Sequence, residues 1–240
     1  MMYNKNMNFI ISACDNSLIE IPLNEEMKSV FSDGFFQWNI KHMHDQLVND
    51  KSLYRDLIKD KKDIVMVDIG ANIGVYSLYF SKICKKLYSV EPAPMTYKIL
   101  NYVTSFLPQI ETHKLAISNK NGLIDFYCVS PYNQSSSLFK DEGVKFYVKT
   151  KTLVDFIQSL DEESIDIVKI DTEGAENLFL NIEVIEALKS KVKQYYIECH
   201  ESIKMNGNTQ KDNFIKFTNM FEQAGYKLKT LNDERFITLM

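Results

Sequence analysis

The sequence predicts an α/β fold: a mostly parallel seven-stranded sheet with helices on both faces, preceded by an N-terminal extension. Three observations predict it. The apolar run Ile64-Val65-Met66-Val67 ends at Asp68 and passes through Gly70-Ala71-Asn72-Ile73-Gly74 into a helical stretch, as a central strand, turn and helix would. From Asp63 onward, strand-like runs alternate with helical ones, the pattern of a parallel sheet covered on both sides. The 240 residues, 45% hydrophobic and 25% charged, suit one soluble domain with appendages.

Taken in order, residues 1–62 form the extension and 63–240 the main domain. Within the extension, Ile19 to Leu23 is a short strand stopped near Pro22. Gln37 to Lys59 is helical, with Ile40, Met43, Leu47, Leu53, Leu57 and Ile58 at the buried spacing. In the main domain the strands are Ile64–Ile69, Lys86–Glu91, His113–Ile117, Ile165–Ile170 and Gln194–Cys199. Helices follow at about Ile73–Ile83 and Met95–Phe106, the latter entered through Pro92 and Pro94. Gly122–Val129 and Lys145–Thr150 alternate as an inserted antiparallel pair, with Ser135-Ser136-Ser137 between them, and Leu153–Leu160 is a short helix. A helix also runs from Gly174 through Lys189. Another spans residues 209–224 and is closed by Gly225, and a terminal hairpin turns at Asn232-Asp233.

Composition narrows the function. A net charge of −4 argues against a nucleic-acid partner, since a binder of phosphate backbones carries a basic face. Cys14, Cys84, Cys128 and Cys199 show no zinc spacing and no disulfide framework. The apolar run Phe9–Cys14 is too short to span a bilayer and lacks the pattern of a signal peptide. The expected location is the cytoplasm, with no transmembrane segment.

The glycine turn points to a nucleotide-type ligand, and the glycines are expected to let that ligand approach the backbone. A dinucleotide site wants G-x-G-x-x-G, but here Asn72 stands where the second glycine belongs, and no Gly-Lys-Ser/Thr follows as in a P-loop. S-adenosylmethionine, a nucleoside without a pyrophosphate, is the remaining common choice. Asp68 ends the first strand, where it can organise the loop and the cofactor's amino-acid end. Glu91, 21 residues after Gly70, ends the second, where an acid can accept both ribose hydroxyls. Gly70, Asn72, Gly74 and Ala116 complete the expected cofactor set. An NAD-linked oxidoreductase and a non-catalytic cofactor-binding protein are the rival readings.

Asp68-Ile-Gly-Ala-Asn-Ile-Gly74, Glu91-Pro92 and Val168-Lys-Ile-Asp-Thr-Glu-Gly-Ala-Glu176 resemble the FkbM family of S-adenosylmethionine-dependent methyltransferases, over roughly Asp63 to Glu201. Ser135–Leu138 and Thr152–Asp155 are also similar to the family's middle region. The resemblance implies a class I methyltransferase fold and methylation of hydroxyls on sugars, glycoconjugates and polyketide-type products. The expected partner is therefore a small-molecule or glycan acceptor.

A hydroxyl needs a base or a metal beside it to become a nucleophile. In open α/β sheets such groups lie beyond the C-terminal strand ends, which brings forward Asp171, Glu173, Glu198, His200 and Glu201. Asp171 and His200 are the expected bases, His200 for its near-neutral pKa, while Glu173 contacts the acceptor or caps the next helix. Asp171, Glu198 and His200 are the set that a magnesium or manganese ion would use. Lys169, costly in a buried strand unless paired, is expected to pair with Glu198 or Glu176. The absence of an Asn/Asp-Pro-Pro-aromatic turn after the fourth strand favours oxygen over amino nitrogen as acceptor. Trp38 and Tyr132 are weaker candidates for stacking on it, and His42, His44 and His113 are expected to pack or face solvent.

Overall fold

The computed structural model describes residues 2–3, 8–49, 58, 60–128, 144–230 and 236–239. In the extension, β1 (Met2–Tyr3), β2 (Phe9–Ser12) and β3 (Leu18–Ile21) form an antiparallel sheet, followed by α1 (Glu25–Ser32) and α2 (Gly34–Asn49). The strand at Phe9–Ser12 is not among the expected elements; Phe9 and Ile11 turn inward on alternate positions. Asn24 caps α1 by accepting from the Met27 amide at 2.8 Å. The expected helix starts earlier, at Gly34, and buries Ile40, Met43 and Leu47. Leu53, Leu57 and Lys59 lie outside the described residues.

The main domain runs β4 (Ile64–Ile69), α3 (Val75–Phe80), β5 (Cys84–Val90), α4 (Pro94–Thr104), β6 (Ile110–His113), β7 (Ala116–Ser118), β8 (Gly122–Cys128), β9 (Val144–Thr152), α5 (Leu153–Ser159) and β10 (Ile167–Ile170). It continues through α6 (Glu176–Phe179), α7 (Ile182–Leu188), β11 (Tyr195–Glu198), α8 (Ile203–Asn206), α9 (Gln210–Gln223), β12 (Leu228–Thr230) and β13 (Phe236–Leu239). A seven-stranded sheet forms in the order β12-β13-β11-β10-β4-β5-β6. The five strands from β11 to the edge strand β6 are parallel, and β13 is antiparallel to both its neighbours. This is a mixed α/β fold with helices flanking the sheet. The Asn232-Asp233 turn and the Ser135–Leu138 stretch lie outside the described residues.

One expected strand divides. His113–Ile117 does not run as a unit: β6 ends in the main sheet at His113, the Leu115 amide turns back to the His113 carbonyl, and Ala116 begins a strand of another sheet. That sheet, β7-β9-β8, pairs Ala116 with Thr150 in parallel and sets β8 against β9 in antiparallel register.

Strand alternation sorts the core into two layers. Ile64, Met66, Leu87, Ile167 and Tyr196 face α3, α4 and the extension, whose Ile11, Phe31, Ile40, Met43 and Leu47 join the same cluster. Val65, Val67, Ile69, Val90, Val168, Ile170 and Ile197 face α5, α7 and α9. The helices on that second face have clear starts. Thr152 caps α5, Asn181 caps α7, and Thr209 with Asp212 forms a capping box on α9. No helix among the described residues is long and apolar enough to cross a membrane.

Candidate active site

Because β5, β4, β10 and β11 lie side by side, their C-terminal ends bring the glycine turn, Glu91, the Asp171–Gly174 loop and His200 to one edge. The turn is tied to its neighbours through main chain. The amides of Gly70 and Ala71 both donate to Val90 O, and the Asp171 amide donates to Ile69 O, each at 3.0 Å. Glu91 fastens the turn further, since one carboxylate oxygen accepts from the Asn72 amide at 3.0 Å and the other from Ala93 at 2.8 Å. Asn72 sits in the left-handed region (φ 51°), where asparagine is the best tolerated residue after glycine, and accepts from Ile73 N through its own side chain.

Packing also constrains the turn glycines. A Cβ on Gly70 would lie 1.7 Å from the Asp171 carbonyl oxygen. One on Gly74 would lie 3.0 Å from Leu100 and 3.2 Å from Val103 of α4. Both residues, at φ 80° and 92°, make the sharp turn, and neighbouring backbone and helix leave little space for a Cβ at either.

Asp68 is wholly buried, beneath the turn rather than at its surface. Its Oδ2 accepts from Ser77 Oγ of α3 at 2.9 Å, and Ser77 Oγ lies 2.9 Å from Ser89 Oγ of β5. Its Oδ1 lies 3.2 Å from Lys169 Nζ. This corrects the expected pairing of Lys169 with Glu198 or Glu176. The register sets Lys169 directly across from Asp68, with Glu198 two residues further along β11 than its own partner Tyr196. The ammonium also lies 3.4 Å from Asp171 Oδ2 and 4.5 Å over the Tyr76 ring. Burial opposes its charge, but Asp68 and Asp171 outweigh burial and hold its pKa well above the ordinary lysine value.

Beyond this pair lies a cluster of acids around one imidazole. His200 Nε2 is 3.7 Å from Asp171 Oδ1 and 3.6 Å from Glu198 Oε1, too long for hydrogen bonds. Its Nδ1 is 3.3 Å from Glu176 Oε1, within hydrogen-bond reach. A carboxylate only accepts, so Nδ1 carries the proton. Burial works against the imidazolium, yet Glu176, Glu198 and Asp171 together raise its pKa to about 11. That value departs from the near-neutral pKa for which His200 was expected as a base. The Asp171 carboxyl is raised by burial and by Glu198, against the opposing pull of Lys169 and His200. Glu173 is left-handed (φ 54°), and its side chain is exposed at the rim. Crowding by protein and the neighbouring acids raises it to about 7, and water at the rim screens part of that rise. One ligand atom each from Asp171, Glu198 and His200 lies within 4.8 Å of the others, close enough for one divalent ion.

Ala116 is buried in a small cluster with Ala93, Phe126, Cys128 and Val148, which places it beside the segment that follows Glu91. Trp38 is exposed and stacks on His42, His44 bonds Ser12 Oγ at 2.8 Å, and His113 packs edge-on to Phe156. Tyr132 lies outside the described residues. Sequence reasoning missed Ser77, Ser89 and the organising role of Glu176. An acid four residues after Thr172, at the first position of a helix, is the signal that marked Glu176.

The sequence profile of the methyltransferase FkbM domain matches residues 68–228, and the chain belongs to that family. This part of the chain is a methyltransferase domain. The chain is 28% identical over 137 residues to the 2-O-methyltransferase NoeI of Sinorhizobium fredii, covering 49% of this chain and 56% of NoeI. It is 23% identical over 205 residues to the AMB antimetabolite synthetase AmbE of Pseudomonas aeruginosa, covering 67% of this chain and 10% of AmbE. The crystal structure of methyltransferase FkbM from Methylobacillus flagellatus aligns with a TM-score of 0.47 and 16% identity over 77% of this chain and 44% of that one. The chain thus spans about half the length of NoeI and a tenth of AmbE.

Proposed function

We propose that the protein is an O-methyltransferase of the class I fold that methylates a carbohydrate hydroxyl, on a nucleotide sugar, polysaccharide or glycolipid. The observation that carries this is the meeting of the Glu91-fastened turn with the Asp171–Glu198–His200 cluster at one sheet edge. NoeI, a 2-O-methyltransferase, supports oxygen as the acceptor atom.

The residues fit the cofactor. Each oxygen of Glu91 accepts one main-chain N–H and retains a further acceptor site, so the carboxylate can still take two ribose hydroxyls. Gly70 and Asn72 reach the surface of the turn, Asp68 and Gly74 lie beneath it and set its shape, and Ala116 lines the side near Ala93. When bound, S-adenosylmethionine supplies an electrophilic methyl group on a sulfonium. The chain's own task is alignment of the acceptor oxygen and removal of its proton. Asp171, held by Lys169 on one side and facing His200 on the other, is the group for that proton, with exposed Glu173 contacting the acceptor at the rim. If a divalent cation is used, Asp171, Glu198 and His200 hold it, and it would lower the acceptor hydroxyl's pKa.

The test is incubation with methyl-labelled S-adenosylmethionine and three acceptor sets: neutral glycans, glycolipids and nucleotide sugars, each with and without a chelator. Label on a glycan oxygen supports the reading. Absence of transfer to all three, with the cofactor bound, removes it. Binding of NADH in place of S-adenosylmethionine would favour the oxidoreductase reading instead.

A further inference from the structure

We infer that Glu176 is the positioning residue of the acceptor edge, joining the loop after β10 to the end of β11 and fixing the direction in which His200 faces. The inference rests on the proposed function for its consequence in catalysis, though not for its geometry. The Glu176 side chain has no exposure to solvent. Its Oε2 accepts from Thr172 Oγ1 at 2.8 Å and from the Gly174 amide at 3.0 Å. Its Oε1 accepts from the His200 amide at 2.9 Å and from His200 Nδ1 at 3.3 Å. One oxygen thus serves the β10 loop and the other serves β11.

Each side needs the anchor. On the loop side, Glu173 and Gly174 are consecutive left-handed residues, at φ 54° and 101°, and a non-glycine residue holds that conformation at a cost of about 1–3 kcal/mol unless its surroundings fix it. The two bonds to Oε2 bracket Glu173 and leave its side chain at the rim. On the strand side, the His200 backbone is held at both ends, with its amide on Glu176 and its carbonyl oxygen on Asn213 Nδ2 of α9 at 2.8 Å. With backbone and Nδ1 both fixed, the ring can only present Nε2 to Asp171 and Glu198. That orientation serves an acceptor hydroxyl and a bound cation alike.

Glu176→Gln separates this role from simple space filling. Glutamine keeps the shape but has one carbonyl and one NH2, so it cannot accept on both sides. The expected result is a kcat lowered roughly 10- to 100-fold with an unchanged KM for S-adenosylmethionine. The hydrogen-bonded His200 Nδ1–H resonance, assigned by its absence in His200→Asn, should also move or vanish in Glu176→Gln. Wild-type kcat in Glu176→Gln would overturn the inference. So would an unprotonated Nδ1 in the unaltered protein, a measurement that decides the matter even if the variant does not fold. The resonance needs no turnover, so failure of every acceptor would count against the proposed function alone.

Discussion

Lys169→Met is the most direct probe of how the site is built. In the folded protein the ammonium lies 3.2 Å from Asp68 and 3.4 Å from Asp171, with the lysine side chain almost wholly buried. At an effective dielectric constant near 20, each contact is worth about 5 kcal/mol of attraction, most of which offsets the desolvation of the charges. Methionine is close in length and apolar, so packing is nearly preserved. Asp68, however, keeps only the Ser77 hydroxyl as a donor among the described residues. Breaking one side of a buried pair costs roughly 3–5 kcal/mol, which for a chain of this size lowers Tm by roughly 6–20 °C. The assay is urea unfolding followed by circular dichroism, with Asp68→Asn and the double variant completing a cycle. The double variant, which removes the charge at the more deeply buried Asp68, should regain much of the loss. A Lys169→Met protein within about 1 kcal/mol of wild type, below that 3–5 kcal/mol, or a cycle with no coupling, would refute the buried-pair account.

Gly70→Ala should leave little or no folded protein, because its Cβ falls 1.7 Å from a main-chain oxygen that cannot rotate away; soluble expression and thermal scanning read this. Glu91→Ala should weaken S-adenosylmethionine binding several-fold or more by removing an acceptor for the ribose and freeing the Asn72 amide, as measured by calorimetry. Asp171→Asn should lower kcat while sparing cofactor affinity, and equal turnover would remove Asp171 as the proton acceptor. A pH dependence follows from Glu91, whose carboxyl burial raises to about 7. The folded state then holds its proton more tightly than the unfolded chain, so Glu91's contribution to stability is greatest below pH 4.5 and falls as pH rises through 7. The difference in unfolding free energy between wild type and Glu91→Gln should change by on the order of 3 kcal/mol across that range, and a constant difference would contradict the raised value.

The sheet was legible because its cause is local. Ile64–Val67 is apolar at every position and lies at the centre of the sheet, and the proline and glycine punctuation around Glu91 and Gly174 marked where strands stop. The extension was less legible. Phe9–Ser12 is four residues long, too short for a period to declare itself, and its pairing with Leu18–Ile21 depends on a turn with Asn16 in the left-handed region. His113–Ile117 reads as one strand because its residues suit either sheet. Only the partner strands, β5 for one part and β9 for the other, separate it into two.

The site shows the same division more sharply. Strand period alone placed Lys169 and Asp171 on one face and Tyr196, Glu198 and His200 on one face, but period carries no register between strands. Register decided that Lys169 meets Asp68, a residue 101 positions away that sequence reasoning had assigned to the cofactor. The result adds to what Asp68 does. A carboxylate with no exposure, held by Ser77 below the turn and Lys169 beside it, sets the shape of the backbone there. The ammonium it shares with Asp171 then links the two halves of the site: the charge that steadies the floor of the glycine turn is the one that opposes protonation of Asp171 at the acceptor edge. A change in either carboxylate should therefore be felt at the other, which is why the Lys169 cycle tests the chemistry as well as the fold.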